Sequence, residues 1–283
     1  MTMHWTPTIE ERTDCVSANA AGALHDLLNA DPPRPAAGDA LPLLWHWLAF
    51  LPQSRQDQLG ADGHPTPGEF LPPVGQRVRM YAGGRITISG LPRIGSPLAR
   101  LSKASKGVTK KGRSGELLFV TVNHDMSSET GSISEQVDLV YKQATPQRIE
   151  PQAPLTVDNS EWPWGRNLAV DPTMLFRFSA LTYNAHRIHF DRPYATNTEG
   201  YPGLVVHGPL QAILLSDTIR RALPGRTVTQ FAFRAVAPAF DRGELSLRAR
   251  PSSNADSIDL AAYSDGRLTM TATATLEPEG TNE

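Results

Sequence analysis

A chain of 283 residues, 40% hydrophobic and 20% charged, can bury one large core or two of ordinary size. With 27 basic against 29 acidic residues the formal net charge is -2, so no general field draws in nucleic acid or an anionic membrane. The single cysteine, Cys15, excludes an internal disulfide and a cysteine-ligated zinc, and fits a reducing cytoplasm.

The opening, MTMHWTPTIEERTD, has neither the basic start nor the apolar run of a secretory signal, and the first forty residues add little. The longest apolar stretch, LPLLWHWLAFLP from Leu41 to Pro52, is too short to span a bilayer and predicts a helix that stops at Pro52. A proline- and glycine-rich loop runs to about Gly75. Alternating apolar and polar residues then predict strands at Arg77–Ala82, Arg85–Ser89, Pro97–Lys106, Glu116–Asp125 and Gln136–Lys142. The proline-rich stretch Ala144–Trp164 reads as a linker. A second helix is predicted from about Gly208 to Leu223, closed by Pro224-Gly225. Strands follow at Thr227–Val236, Glu244–Arg250, Ser257–Tyr263 and Leu268–Leu276. The same order, a helix and then antiparallel-type strands, thus occurs twice. A long helix wrapped by a curved antiparallel sheet in each half would satisfy it, an α+β architecture rather than a parallel α/β sheet. The boundaries are 1–145 for the first repeat, 146–165 for the linker and 166–283 for the second repeat.

Chemistry concentrates between Phe176 and Leu210. Three histidines, His186, His189 and His207, lie there with Asn184 and Asp191. Histidine exchanges a proton near neutral pH and is the usual general acid/base. Asn184 and His189, five residues apart, can converge on one small site if the chain turns between them. VVHGPL stands at the start of the second predicted helix: Pro209 is a helix-start signal, and Gly208 lets a ligand approach the backbone. Unpaired N–H groups there favour an oxygen gaining negative charge, such as a thioester carbonyl becoming an enolate.

LTYNAHRIH, Leu181 to His189, resembles the hydratase-2 motif of the MaoC-like hot-dog hydratases and dehydratases. In that motif a catalytic aspartate precedes a catalytic histidine by five residues, and an HG pair opens the central helix downstream. By resemblance His189 is the catalytic histidine, Asn184 stands for the aspartate, and His207-Gly208 is the HG pair. The segments ALTYNAHRIHFD and GYPGLVVHGPL, with PLLWHWLAFLP, DGHP, GEFLPP, RMYAGGRI, PRIG and KKGRSGELLFVTVNHD in the first half, resemble one branch more closely. That branch holds the mesaconyl-C4-CoA and itaconyl-CoA hydratases together with mitochondrial-type 3-hydroxyacyl-thioester dehydratases. The resemblance covers about Leu41 to Leu276 and implies a double hot-dog whose first repeat, lacking the histidine motif, is catalytically inactive. It also implies an acyl-CoA substrate, no cofactor beyond the coenzyme A of that substrate, no metal, and room for a homodimer.

An amide at Asn184 cannot serve as a base, so the proton traffic is expected to fall to His189, with Asn184 and Gly208 as the other catalytic groups. His207 is expected at the substrate or orienting the loop. Arg187, Arg85 and Arg93 are candidates for the free carboxylate of a dicarboxyl acyl group, because the arginine fork pairs bidentately with a carboxylate. The basic run Lys103–Arg113 is a candidate for the coenzyme A phosphates. These readings favour a hydratase of branched C4-dicarboxylyl-CoA. A 3-hydroxyacyl-thioester dehydratase and a non-catalytic acyl-thioester binding module stay open.

Overall fold

The structure, a computed structural model, describes residues 5–278 except 67, 69, 74, 76, 113, 114, 144–148, 151, 152 and 255. Three α-helices start where local chemistry provides for their free N–H groups. Ser17 caps α1 (Ala18–Leu27) by accepting from the Ala20 N–H at 3.1 Å. Asp171 caps α2 (Pro172–Leu181) in the same way through Met174, at 2.7 Å, with Pro172 in the first turn. The helix α3 (Gly208–Ala222) has Pro209 in its first turn but no side-chain cap from His207. No helix among the described residues is long and apolar enough to cross a membrane.

The strands are β1 (Ile9–Asp14), β2 (Arg77–Gly90), β3 (Leu98–Ala104), β4 (Val108–Gly112), β5 (Gly115–Ser127), β6 (Gly131–Gln143), β7 (Trp164–Ala169), β8 (Val228–Ala235), β9 (Glu244–Pro251), β10 (Ser257–Ser264) and β11 (Arg267–Leu276). They form one antiparallel sheet in the order β1-β3-β5-β6-β2-β8-β11-β10-β9-β7, with β4 paired to β5. The halves meet at β2 and β8, where Gly83–Thr87 faces Gln230–Arg234. Outward from that seam the strand order within each half is the same: second, last, penultimate, third from last, first, once the extra β4 is set aside. The helices obey the repeat as well, since β1 leads into α1 and β7 into α2.

Every residue of α3 from Leu210 to Ile219 is buried, as befits a helix enclosed by β7, β9, β10 and β11. Its polar members have partners. Gln211 accepts from the Thr269 hydroxyl at 2.8 Å, and the buried Asp217 pairs with Arg166, Arg220 and Arg221. Arg221 also reaches Asp31 and the Asn29 carbonyl, tying α3 to the loop after α1.

The helix predicted for Leu41–Pro52 is corrected by the structure to a single 3-10 turn, Trp45–Leu48. Leu44 and Phe50 take left-handed backbone conformations on either side, φ 69° and 57°. Asp14 accepts the Phe50 N–H at 2.7 Å, and Trp47 donates to Glu135 at 2.7 Å, so tertiary bonds replace the helical ladder. The first half's α-helix is α1, in the opening that showed no strong pattern. Two strands predicted at Arg77–Ala82 and Arg85–Ser89 are one bulged strand, β2. Part of the predicted linker, 144–148 with 151 and 152, lies outside the described residues, and its end already belongs to β7.

Candidate active site

The turn after α2 carries the histidine segment. Tyr183 adopts φ 51°, and Asn184 Oδ1 accepts the His186 N–H at 3.0 Å, closing an Asx turn that aims the chain into a short 3-10 helix, Arg187–His189. His189 is buried and donates Nδ1–H to the Val205 carbonyl at 2.7 Å, leaving Nε2 as the lone-pair nitrogen. Its ring stacks on His207 at 3.7 Å between centroids and meets His186 edge-on at 5.3 Å. His207 Nε2 shares a hydrogen bond with the Ser179 hydroxyl at 2.9 Å. Its Nδ1 is buried without a partner among the described residues. Gly208 follows at once, and the Tyr81 ring packs so closely that an added Cβ would sit 3.2 Å from it.

Burial dominates the proton affinities here. It pushes His207 well below the ordinary histidine range and takes His189 down to about 4, partly offset by the Val205 carbonyl. Burial, then the neighbouring His64 and His189, take His186 down to about 2. The cluster is therefore neutral at pH 7.

The first half supplies a residue pair that the sequence reading passed over. In the loop Asp62-Gly63-His64, His64 donates Nδ1–H to Asp62 at 2.9 Å, and its ring lies 3.9 Å from that of His186. Burial lowers His64 despite the Asp62 bond. Burial alone would raise Asp62, but the bond and charge of His64 outweigh it and bring the carboxyl to about 2. The loop is docked tightly: Arg187 N–H donates to the Asp62 carbonyl at 2.8 Å. Gly63, at φ 86°, could not carry a Cβ, which would fall 1.9 Å from the Ala185 oxygen. The DGHP sequence was visible, yet nothing in it says which distant segment it meets. Potential ligand atoms of Asp62, His64 and His186 lie within 4.8 Å of one another. As built, His64 uses Nδ1 on Asp62 and its ring face on His186.

A cavity of about 700 Å³ opens beside this cluster, between the first half's sheet and α2. His64, Asn184, Ser179 and Pro209 reach it, and so do Arg79, Tyr81, Arg100, His124 and Glu135 from β2, β3, β5 and β6. The expected carboxylate binders are corrected here. Arg187 is bonded to Asp191 and the Ala61 carbonyl and lies over the Tyr194 ring. Arg85 forms a two-toothed pair with Asp138 at 2.7 and 3.1 Å, and Arg93 donates to the Gly38 carbonyl; none of the three lines the cavity. Sheet registry, which the sequence does not display, commits Arg85, whereas Arg187 is held by Asp191 in its own turn and Arg93 by a loop carbonyl. The basic run ends β3 and builds β4, where Lys110 lies over Phe119, away from the cavity; Arg113 lies outside the described residues.

An antiparallel sheet wrapped on a central helix, with buried imidazoles at the helix start, defines the MaoC-like class of hot-dog proteins. The fold agrees with a MaoC-like dehydratase from Phytophthora capsici at TM-score 0.69 and 11% identity, covering 99% of this chain and 98% of that one. It agrees with HtdX of Mycobacterium tuberculosis at TM-score 0.64 and 15% identity, over 94% and 99%. Residues 44–241 match the family described as hydroxyacyl-thioester dehydratase type 2. A mesaconyl-C(4)-CoA hydratase of Chloroflexus aurantiacus is 44% identical over 282 residues, 97% of each chain. The chain belongs to the hydroxyacyl-thioester dehydratase type 2 family and is a hydro-lyase.

Proposed function

We propose that this hydro-lyase adds water across the double bond of a branched C4-dicarboxylyl-CoA, mesaconyl-C4-CoA or itaconyl-CoA, giving citramalyl-CoA. What carries the reading is the near-full-length likeness to the Chloroflexus hydratase, on a chain whose largely apolar cavity carries Arg79, Arg100, His124 and Glu135 in its wall. We read the fold as a double hot-dog, residues 1–145 and 166–283, in which the second repeat keeps its central helix and the first gives up that space to the acyl group.

On mesaconyl-C4-CoA, whose double bond is conjugated with the thioester, His189 Nε2 takes a proton from water as the water oxygen bonds to the β-carbon. The π electrons move to the thioester oxygen, where the Gly208 N–H at the start of α3 stabilises the enolate. The imidazolium then returns its proton to the α-carbon. A base whose proton affinity is this low gives the proton back readily, so one residue serves both steps. Asn184 shapes the turn that delivers the histidines. The carboxylate absent at position 184 has a counterpart in Asp62, through which His64 presents its free Nε2 to the second hydrogen of the water.

The second reading, dehydration of a 3-hydroxyacyl thioester, is the same chemistry reversed on a plain acyl chain, and the family description favours it. Arg79, Arg100, His124 and Glu135 stand in a wall that also carries Trp47, Phe50, Met126, Phe176 and Phe178, and they favour an acyl group with a charge of its own. A mass-spectrometric assay of water addition across a panel of enoyl-CoA thioesters tests the choice. Hydration of mesaconyl-C4-CoA or itaconyl-CoA in preference to crotonyl-CoA is expected. Faster turnover of plain, longer chains would replace the first reading by the second, and no turnover of any would leave a binding module.

A further inference from the structure

A dicarboxyl acyl group brings a carboxylate into the cavity, and the three arginines nearest in sequence logic are spent elsewhere. Two others reach the cavity, Arg79 and Arg100. No carboxylate bonds to Arg79 among the described residues; its bonding neighbour is the Tyr141 hydroxyl, opposite it on β6. Arg79 lines the cavity together with His64, and its charge lowers the proton affinity of both His64 and His186. Arg100 stacks over Phe50 at 4.2 Å, with Nε buried and unpartnered among the described residues.

Distance along the sheet separates the two. Tyr81 packs against Gly208, where the thioester oxygen is proposed to sit. Arg79 lies two residues from Tyr81 on the same face of β2, about 7 Å by strand rise. Tyr81 faces Leu139 on β6, whereas Arg100 faces Met126, which faces Ile133. Arg100 is therefore six residues away along β6, about 20 Å by strand rise, and three strands across. In a four-carbon diacid the two carbonyl carbons are three C–C bonds apart, about 4 Å. A flexible arginine two residues from Tyr81 spans that geometry; one at the far end does not.

We infer that Arg79 anchors the free carboxylate of the acyl group and so sets the preference for carboxylated over plain enoyl thioesters. The inference rests on the hydratase reading above. An otherwise unpaired guanidinium in a partly enclosed cavity gives a carboxylate two parallel N–H bonds, and a substrate lacking that carboxylate leaves them unmade.

The test compares kcat/KM for mesaconyl-C4-CoA and crotonyl-CoA in wild type, Arg79→Gln, Arg79→Lys and Arg100→Gln. The ratio of the two constants is expected to fall about 100-fold in Arg79→Gln, mostly through KM for the diacid, and to recover in part in Arg79→Lys. Displacement of a fluorescent CoA analogue by the unreactive pair succinyl-CoA and butyryl-CoA gives a readout free of turnover. Arg79→Gln is expected to lose the succinyl preference. An unchanged ratio in Arg79→Gln, equal loss on both substrates, or a fall in ratio only in Arg100→Gln overturns the inference and leaves the hydratase reading standing. A wild type that prefers crotonyl-CoA overturns the hydratase reading instead, and the displacement pair still tests Arg79.

Discussion

The two halves share a strand order and fill it differently. In the second half β7 and β9 to β11 close on α3, ten consecutive residues of which are buried. In the first half the place of that helix in the chain order is taken, among the described residues, by two 3-10 turns, Trp45–Leu48 and Gln56–Gln58, and a cavity of about 700 Å³ borders the sheet there. Polar groups in its lining, Glu135 held by His46 and Trp47 and His124 bonded to Ser102, stand among apolar ones such as Phe50, Met126 and Phe178. The same sheet topology thus packs on a helix in one half and borders a cavity in the other. The histidine cluster lies where the two meet, with His64 from the first half and His186, His189 and His207 from the second.

Acid should break this arrangement most severely. His189 and His124 are held at about 4, His186 at about 2, and His64 and His207 below the ordinary range, all with burial as the first cause. Each is neutral in the fold but gains a proton in the unfolded chain below about pH 6.5. Their contribution is intact above that pH and is lost as pH falls from about 6.5 toward 4, at up to about 1.4 kcal/mol per pH unit for each group. Melting temperature measured from pH 7.5 to 5 should decline with increasing slope. Catalysis by the folded enzyme should show no acid limb near 6.5, because His189 stays neutral. A flat melting temperature would mean these histidines are solvated.

Core substitutions sharpen the contrast between filled and open halves. Leu214→Ala, in the middle of α3, should cost about 3–5 kcal/mol in urea unfolding, since the enclosed helix cannot relax into the void. Met126→Ala, on the cavity wall, should cost about 2 kcal/mol, below that range. Equal costs would show that the first half is packed as tightly as the second.

His189→Ala should reduce turnover by about 100-fold or more with the fold intact, as expected for a positioned acid/base. Steady-state kinetics on a variant of unchanged melting profile checks this, and near-normal hydration would remove His189 from the mechanism.

The smallest effect concerns Asn184. Asn184→Ala loses the Asx turn and should lower kcat by about 10-fold, with KM little changed. Asn184→Asp preserves the acceptor, so the turn should survive, but its charge raises the proton affinity of the neighbouring imidazoles. It should also repel a diacid, making the variant slower on mesaconyl-C4-CoA than on crotonyl-CoA relative to wild type. Equal or faster hydration of the diacid would show that the amide is there for another reason.

What the sequence determined by itself was local. Pro209 and Pro224-Gly225 bracket α3 within a residue or two, because caps and breakers act on their own neighbours. Period-two alternation marked β2, β3, β5, β6 and β8 to β11 but not β1, β4 or β7, and of Asn184, His189 and Gly208 only Asn184 lines the cavity. The tertiary structure alone decided the rest. Leu41–Pro52 has helical length and apolarity, yet Asp14 and Glu135, distant in sequence, hold it as a turn. Arg85 looked free until sheet registry set Gln136 across from it and Asp138 on the diagonal, both within bonding reach. Asp62 and His64 join His186 only because the first half's loop docks on the second half. Pairings between residues far apart in the chain leave no periodic trace, so the half of the site they build appears only once the two halves are folded against each other.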